Sequence, residues 1–368
     1  MTSIESVTNS PAQFTGRCAA IASRLPELKA DSLLVSSPAN VRYLSGYSGS
    51  NGAVLLTPTG THFFTDPRYA VEARANIAAT VHVVKGPLRV KILDLIKRKN
   101  LKNIGFESAW TNVADYTTLQ EGLTLGASLV PVGGIIEELR MRKSVEEIAL
   151  IRRSVLLNST AFERALKRIR PGVRELDVAG EIEFQMKKLG AEKPAFDTIV
   201  AAGVHSARPH AHPSSYKLAA NELLLIDMGA NLGGYCSDMT RVVHLGKPSQ
   251  RIRQMYAAVL EAQLAGIDAV RPGVTAGKVD RAVRTVMKKH KLDKAFVHST
   301  GHGLGLEIHE TPRVGRKDLT KLEAGMAITV EPGAYLEGFA GIRIEDTVLV
   351  TANGCEVLTP TSKEFVVI

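Results

Sequence analysis

The sequence predicts an α/β (α+β) chain: a small α/β N-terminal domain followed by a larger domain made of two similar halves. Three observations predict it. Residues 31–132 alternate short apolar runs with helical patterns, as strands covered by helices do. Pro131, Gly133 and Gly134 then punctuate the chain and divide it into domains at 1–134 and 135–368. Beyond them the chain repeats itself. IRPGVRELDVAGEIEFQMKKLG starts at Ile169 and VRPGVTAGKVDRAVRTVMKKHKL at Val270, so that Pro171 and Pro272, and Met186 and Met287, are each 101 positions apart. A repeat in two copies is no solenoid; two halves related by a pseudo-twofold axis accommodate it.

In chain order, the start MTSIESVTNSPAQFTGR is polar and lacks the apolar centre of a signal peptide. SLLVS, GAVLLT, a PTG turn, THFFT and VHVV read as strands, with PRYAVEARANI and the basic run at 89–102 as helices. In the second domain Ser144 with Glu147 three residues on makes a capping box, and the helix it opens stops at Pro171 and Gly172. The repeated segments follow as amphipathic helices. Downstream, LLLIDMGANLGGYCSDMTRVV (223–243) and MAITVEPGAYLEGFAGIRIEDTVLV (326–350) share an acid before x-Gly-Ala and an acid before x-Thr. Each reads as a hairpin with one acid on each arm.

The composition is that of a globular protein, 45% hydrophobic and 23% charged. The formal charge of +9, from 46 Lys and Arg against 37 Asp and Glu, invites a nucleic-acid reading. The basic runs 89–102 and 139–153 instead carry apolar residues at helical spacing without interleaved aromatics, so they read as solvated helix faces. Cys18, Cys236 and Cys355 are odd in number and show no CxxC spacing, which excludes a disulfide framework and a cysteine-built zinc site. No run approaches a membrane span of about 18 apolar residues. A cytoplasmic protein without membrane or nucleic-acid partners is the expectation.

The hairpin acids are Asp227 and Asp238 in the first half, Glu331 and Glu345 in the second. Four buried carboxylates repel one another and lose hydration, so they require cations. Only Arg241 and Arg343 lie nearby in sequence. Two divalent ions would neutralise the cluster, and carboxylates with an imidazole suit Mn, Co, Fe or Zn. The imidazole is sought in HSTGHGLGLEIHE (298–310). Its glycines follow GxGxG and no helix start succeeds them, which disfavours a dinucleotide loop; HExxH is absent. His298, His302 and His309 are therefore functional candidates, their glycines allowing close backbone approach to substrate or metal. His82, His244 and His290 read as core or surface histidines.

LLVSSPANVRYLSGYSGSNGAVLL, DMGANLGGYCSDMTR, HSTGHGLGLEIHE, TVEPGAYL and GIRIEDT, in that order over nearly the whole chain, resemble the pita-bread metallopeptidases, in the branch of aminopeptidase P, prolidase and creatinase. The resemblance implies a creatinase-like N-terminal domain and a pita-bread catalytic domain. It also implies an exopeptidase that cleaves the X-Pro bond of short peptides, as a dipeptidase or an aminopeptidase. By resemblance Asp227 binds one metal, His302 and Glu331 the other, and Asp238 and Glu345 bridge the pair. Mn is the first choice of metal, with Co, Zn or Fe as alternatives. Glu331 would relay a proton. His298 and His309 would orient substrate and stabilise an oxyanion, His210 would close over the substrate, Arg343 would lie on the substrate side and Tyr335 would line the pocket. A salt bridge to the acids is the competing reading of Arg343. Proline makes sense of a dedicated site, because its tertiary amide has no N–H and a fixed φ. The resemblance further implies a homodimer, with SGYSGSNG (45–52) as a candidate contact or a plain helix-to-strand turn. Competing readings are a creatinase-like C–N hydrolase of a guanidino compound, which does without the full ligand set, and a non-catalytic binding protein of this fold, in which ligands are lost. A methionine aminopeptidase is disfavoured because that branch lacks an N-terminal domain of this form.

Overall fold

A computed structural model describes residues 11–368; the polar start of the chain, residues 1–10, lies outside it. The chain divides into two compact units, 1–140 and 141–368, a little beyond the Pro131–Gly134 turn. The reason is the helix that follows that turn, which buries Ile135 and Ile136 and carries a buried Arg140 that donates to Asn40 within the first unit.

The first unit carries α1 (Pro11–Arg24), β1 (Ser32–Val35), α2 (Pro38–Ser45), β2 (Gly52–Thr57), β3 (Gly60–Thr65), α3 (Ala70–Asn76), β4 (Thr80–Val83), α4 (Leu88–Arg98), β5 (Asn103–Glu107), α5 (Val113–Gly122), β6 (Ser128–Val132) and α6 (Ile135–Met141). Its sheet runs β4-β3-β2-β1-β5-β6. β1, β2 and β3 pair antiparallel and the outer strands parallel. In the basic helix α4, Ile92, Leu95 and Ile96 are buried against Leu55, Phe64 and Ile104 while its cations face solvent. SGYSGSNG is a turn: Gly46 closes α2 in the left-handed region at φ 75, a conformation glycine adopts without a Cβ penalty, and Gly52 opens β2. His82 stacks on Phe64 and lies 3.1 Å from His62.

The second unit carries α7 (Val145–Leu166), α8 (Glu175–Lys188), β7 (Lys193–Pro194), β8 (Ile199–Ala202), β9 (Glu222–Met228), β10 (Ala230–Leu232), β11 (Tyr235–Cys236), β12 (Met239–Leu245), α9 (Gln250–Ala269), α10 (Ala276–Lys289), β13 (Gly301–Gly303), β14 (Glu310–Val314), β15 (Ala327–Val330), β16 (Gly333–Leu336), β17 (Ala340–Arg343), β18 (Asp346–Val350), β19 (Cys355–Val357) and β20 (Val366–Val367). The capping box forms: the Ser144 amide donates to Glu147 and the Glu147 amide to Ser144 Oγ, satisfying two donors that have no intrahelical partner. The repeated segments become α8 and α10, each packed on the long helix before it.

Two antiparallel hairpins hold the centre: β9 with β12, and β15 with β18. β9 and β12 are buried on both faces, which explains their continuous apolar runs. Leu224, Ile226 and Met228 face α7 and α8; Leu223 and Leu225 face a core shared with α9, α10 and β17. By alternation Asp227 shares that second face. Among the described residues no helix is long and apolar enough to cross a membrane.

Two basic residues depart from the expected solvated face at 139–153. Arg140 is buried as described, and Lys143 Nζ lies 3.1 Å from Glu310 with both side chains almost fully enclosed. Buried charges persist when paired in this way. Cys18, Cys236 and Cys355 are free thiols.

Candidate metal centre

Alternation along each strand sorts acids from apolar residues. In β15, Ile328 and Val330 enter the core, so Thr329 and the following Glu331 turn to the opposite face, where Thr329 Oγ1 lies 3.4 Å from Glu331 Oε1. Asp227 pairs across the ladder with Thr240, which puts both side chains on one face. Asp238 and Glu345 sit immediately before β12 and β18.

The two halves then exchange contacts reciprocally. Thr240 Oγ1 donates to Glu345 Oε2 at 2.7 Å, and Thr347 Oγ1 donates to the Asp238 carbonyl at 3.0 Å. The threonine two places after each of these acids thus steadies the acid of the other half.

His302 approaches from β13, with Nε2 3.6 Å from Asp238 Oδ2 and 3.5 Å from Glu331 Oε1. Its Nδ1 lies 3.0 Å from the Gly303 carbonyl. A carbonyl only accepts, so Nδ1 carries the proton and Nε2 turns its lone pair on the acids. Ligand atoms of Asp238, His302 and Glu345 lie within 4.8 Å of one another. The glycines around His302 serve backbone packing: a Cβ on Gly301 would stand 2.0 Å from the Thr329 carbonyl oxygen, and one on Gly303 2.4 Å from that of Thr311. Close strand approach, rather than approach to substrate, explains both. Gly301→Ala is expected to push β13 from β15, displace His302 and weaken metal binding at least about tenfold; a titration with Mn matching that of the parent would overturn this.

The cluster is electrostatically unbalanced. Arg241 does not reach its carboxylates: its guanidinium bonds the Asp346 carboxylate and the carbonyls of Thr240, Glu345, Thr361 and Ser362. Lys363 and Gln263 also reach Asp346. Among the described residues Arg343 is the one guanidinium paired with the four acids, its Nη2 2.5 Å from Asp227 Oδ2. The salt-bridge reading of Arg343 is therefore the geometry found. Burial first and neighbouring carboxylates second, led by Glu345 for Asp238 and by Glu331 for Glu345, push the Asp238 and Glu345 carboxyls well above their ordinary range. Burial pushes Glu331 up to about 8. Without metal, protons take the place of cations.

Buried, partnerless oxygens complete the test of fit. Among the described residues, Asp227 Oδ1 and Asp238 Oδ1 have no hydrogen-bond partner. Such atoms are costly unless something positive meets them. Burial holds His302 down at about 4, so its imidazole stays neutral. Carboxylate oxygens and a neutral imidazole form the donor set of a divalent cation.

Around this centre, Arg343 Nη1 donates to Tyr335 Oη at 2.6 Å, and Tyr335 Oη lies 2.9 Å from His298 Nε2. Burial pushes the Tyr335 hydroxyl up to about 12, so it keeps its proton and donates to His298. His298 Nδ1 lies 2.8 Å from the Ser299 carbonyl. Both His298 nitrogens are engaged, which leaves none for the expected oxyanion contact. His309 is exposed and packs edge-on to His302 with ring centroids 4.4 Å apart. His210 is exposed on the loop between β8 and β9, beside Pro209, whose carbonyl accepts from Arg343. His244 is buried with Nδ1 3.0 Å from the Gly246 carbonyl, and His290 meets Glu261 on the surface; neither reaches the centre.

Sequence reading missed the braces beneath. Asp280 accepts from Thr300 Oγ1 and Arg284 Nε, and Arg284 reaches the carbonyls of Phe296 and His298. Their i,i+4 spacing on α10 was the available signal.

Residues 149–352 match Metallopeptidase family M24 and residues 17–142 match the Creatinase/Prolidase N-terminal domain. The Xaa-Pro dipeptidase of Pyrococcus furiosus is 36% identical over 346 residues, 93% of this chain and 97% of the relative. A solved Xaa-Pro dipeptidase from Bacillus anthracis superposes with a TM-score of 0.94 at 35% identity, covering 96% of this chain and all of that one. A solved X-Pro aminopeptidase from Thermotoga maritima gives 0.88 at 33% identity over 94% of this chain and all of that one. Carrying that family's match across its two acid-bearing hairpins and the intervening histidine, this chain belongs to metallopeptidase family M24.

Proposed function

We propose that the protein is a metal-dependent exopeptidase that hydrolyses the X-Pro bond of short peptides, as a dipeptidase or an aminopeptidase. The observation that carries this reading is the surplus of buried acid: four carboxylates, one guanidinium, a neutral His302 and partnerless oxygens on Asp227 and Asp238. Asp227, Asp238, His302, Glu331 and Glu345 would hold two divalent ions, with Mn the first choice. When bound, such ions supply Lewis-acid polarisation and an acidified water.

The remaining roles belong to this chain's own side chains. Glu331 Oε2, the oxygen turned towards His298, takes the proton released on attack and delivers it to the prolyl nitrogen as the C–N bond breaks. His309, exposed beside the His302 ring, donates to the developing oxyanion. His210 faces the substrate from its loop. Arg343 and Tyr335 act by holding Asp227 and His298 in register. A cytoplasmic homodimer is part of the same reading, supported by the three free thiols for the compartment and by family resemblance for the dimer.

The test is hydrolysis of Ala-Pro and Ala-Pro-Ala by metal-stripped protein before and after adding Mn, Co or Zn. Activity is expected to vanish on stripping and to return with metal. Cleavage of the tripeptide alone would leave the aminopeptidase, and full activity after chelation would refute the metal mechanism.

A further inference from the structure

His210 sits on a fifteen-residue span, 202–216, that leaves β8 and returns towards β9 with only one short 3-10 turn within it. A loop of this kind has little backbone structure of its own to fix a side chain. Its two ends nevertheless meet on a single carboxylate. Glu175, the first residue of α8, is fully buried. Its Oε1 accepts the Ala202 amide at 2.8 Å and lies 3.1 Å from His205 Nδ1. Its Oε2 accepts the Ser214 amide at 3.0 Å and Ser214 Oγ at 2.6 Å. The Glu175 and Leu176 amides donate in turn to the carbonyls of Tyr216 and Ser214. Midway, Ser206 Oγ accepts the Gly341 amide, and Arg343 Nη1 donates to the Pro209 carbonyl at 3.3 Å.

We propose that Glu175 is a positioning residue for the X-Pro reaction: its carboxylate staples both ends of the 202–216 loop and thereby aims His210 at the substrate. The inference rests on the function proposed above. The two backbone amides that Glu175 accepts are fixed donors, so the group between them must present an acceptor on each side. A carboxylate does this in either orientation. An amide turns its NH2 on one of the two donor pairs. The loop end so released is the one that frays, and His210 loses its aim while Asp227, Asp238, His302, Glu331 and Glu345 keep theirs. The demand on placement is strict, since a displacement of about 1 Å costs around a hundredfold in rate.

Glu175→Gln, which keeps the side-chain volume, is the variant to measure beside His210→Ala and the double variant. Expected are a tenfold to hundredfold fall in kcat/KM on Ala-Pro, about the range for supporting residues, carried by kcat. Mn binding is expected to be unchanged, and amide hydrogen exchange to rise within 202–216 alone. In the His210→Ala background the same substitution should cost no more than about twofold, because its effect passes through His210. Glu175→Asp, too short to reach both pairs, should fall between parent and Glu175→Gln. Equal losses with and without His210, or parental kcat/KM in Glu175→Gln, would overturn the proposal. If the parent cleaves no X-Pro peptide, the functional reading fails by itself, and exchange decides the staple: no rise within 202–216 then refutes it.

Discussion

Asp238→Asn lowers kcat/KM on X-Pro peptides by at least about a thousandfold, some 4 kcal/mol of transition-state stabilisation, while the protein still folds. The amide has the carboxylate's shape and leaves the Thr347 bond to the Asp238 carbonyl intact. What it removes is a carboxyl whose ionisation its surroundings already oppose: burial first, then Glu345, Asp227 and Glu331, all raise it. The metal-free variant should therefore melt no lower than the metal-free parent at pH 8. The parent's rise in Tm on adding Mn should be largely lost, because one of the carboxylates proposed to hold the ions is gone. A variant that retained both parental activity and the metal-dependent rise in Tm would remove Asp238 from the centre.

The second large effect is a stability of the metal-free protein that falls as pH rises. Glu331 has a folded value of about 8 against an ordinary 4.5, and Asp238 and Glu345 are displaced in the same direction. The folded state therefore holds protons that the unfolded chain has released. The contribution of such a group is fully present below its unfolded pKa and is lost as pH rises through the folded one. The buried histidines act oppositely. Burial lowers His298 and His302 from 6.5 to about 4, so their contribution is present above 6.5 and is lost as pH falls towards 4. Between about pH 6.5 and 8 the carboxylates dominate, at up to about 1.4 kcal/mol per pH unit per proton. In chelator, Tm should drop by several degrees across that window. Saturating Mn should abolish the drop, since cations replace the protons and bind more tightly as pH rises. Thermal melts at pH 6.5 and 8, with chelator and with Mn, measure both; a metal-free Tm that is flat or rising across the window would contradict the buried-acid account.

How much of this was legible in the sequence depends on the range of the interaction. Local rules sufficed for the Ser144–Glu147 capping box, for α8 and α10 as a repeated pair, and for the acid and threonine sharing a strand face, because neighbours within four residues determine them. The surplus of acid over arginine near the hairpins was legible as well, since charge is counted without coordinates. The burial of Arg140 and Lys143 was not. Their partners, Asn40 and Glu310, lie far away in sequence, and helical spacing alone reads such residues as solvated.

The sequence by itself determined the two-domain α/β plan, the duplicated half and the four hairpin acids, because periodicity, repetition and residue chemistry are properties of the chain alone; the choice of His302 among three histidines came from the family resemblance. Only the tertiary structure decided that Arg241 serves Asp346 while Arg343 serves Asp227, that both nitrogens of His298 are engaged, and that Glu175 ties the loop of His210. In each case a buried polar group must find a partner once water is gone. Which partner lies within about 3 Å is settled by how the strands and helices pack.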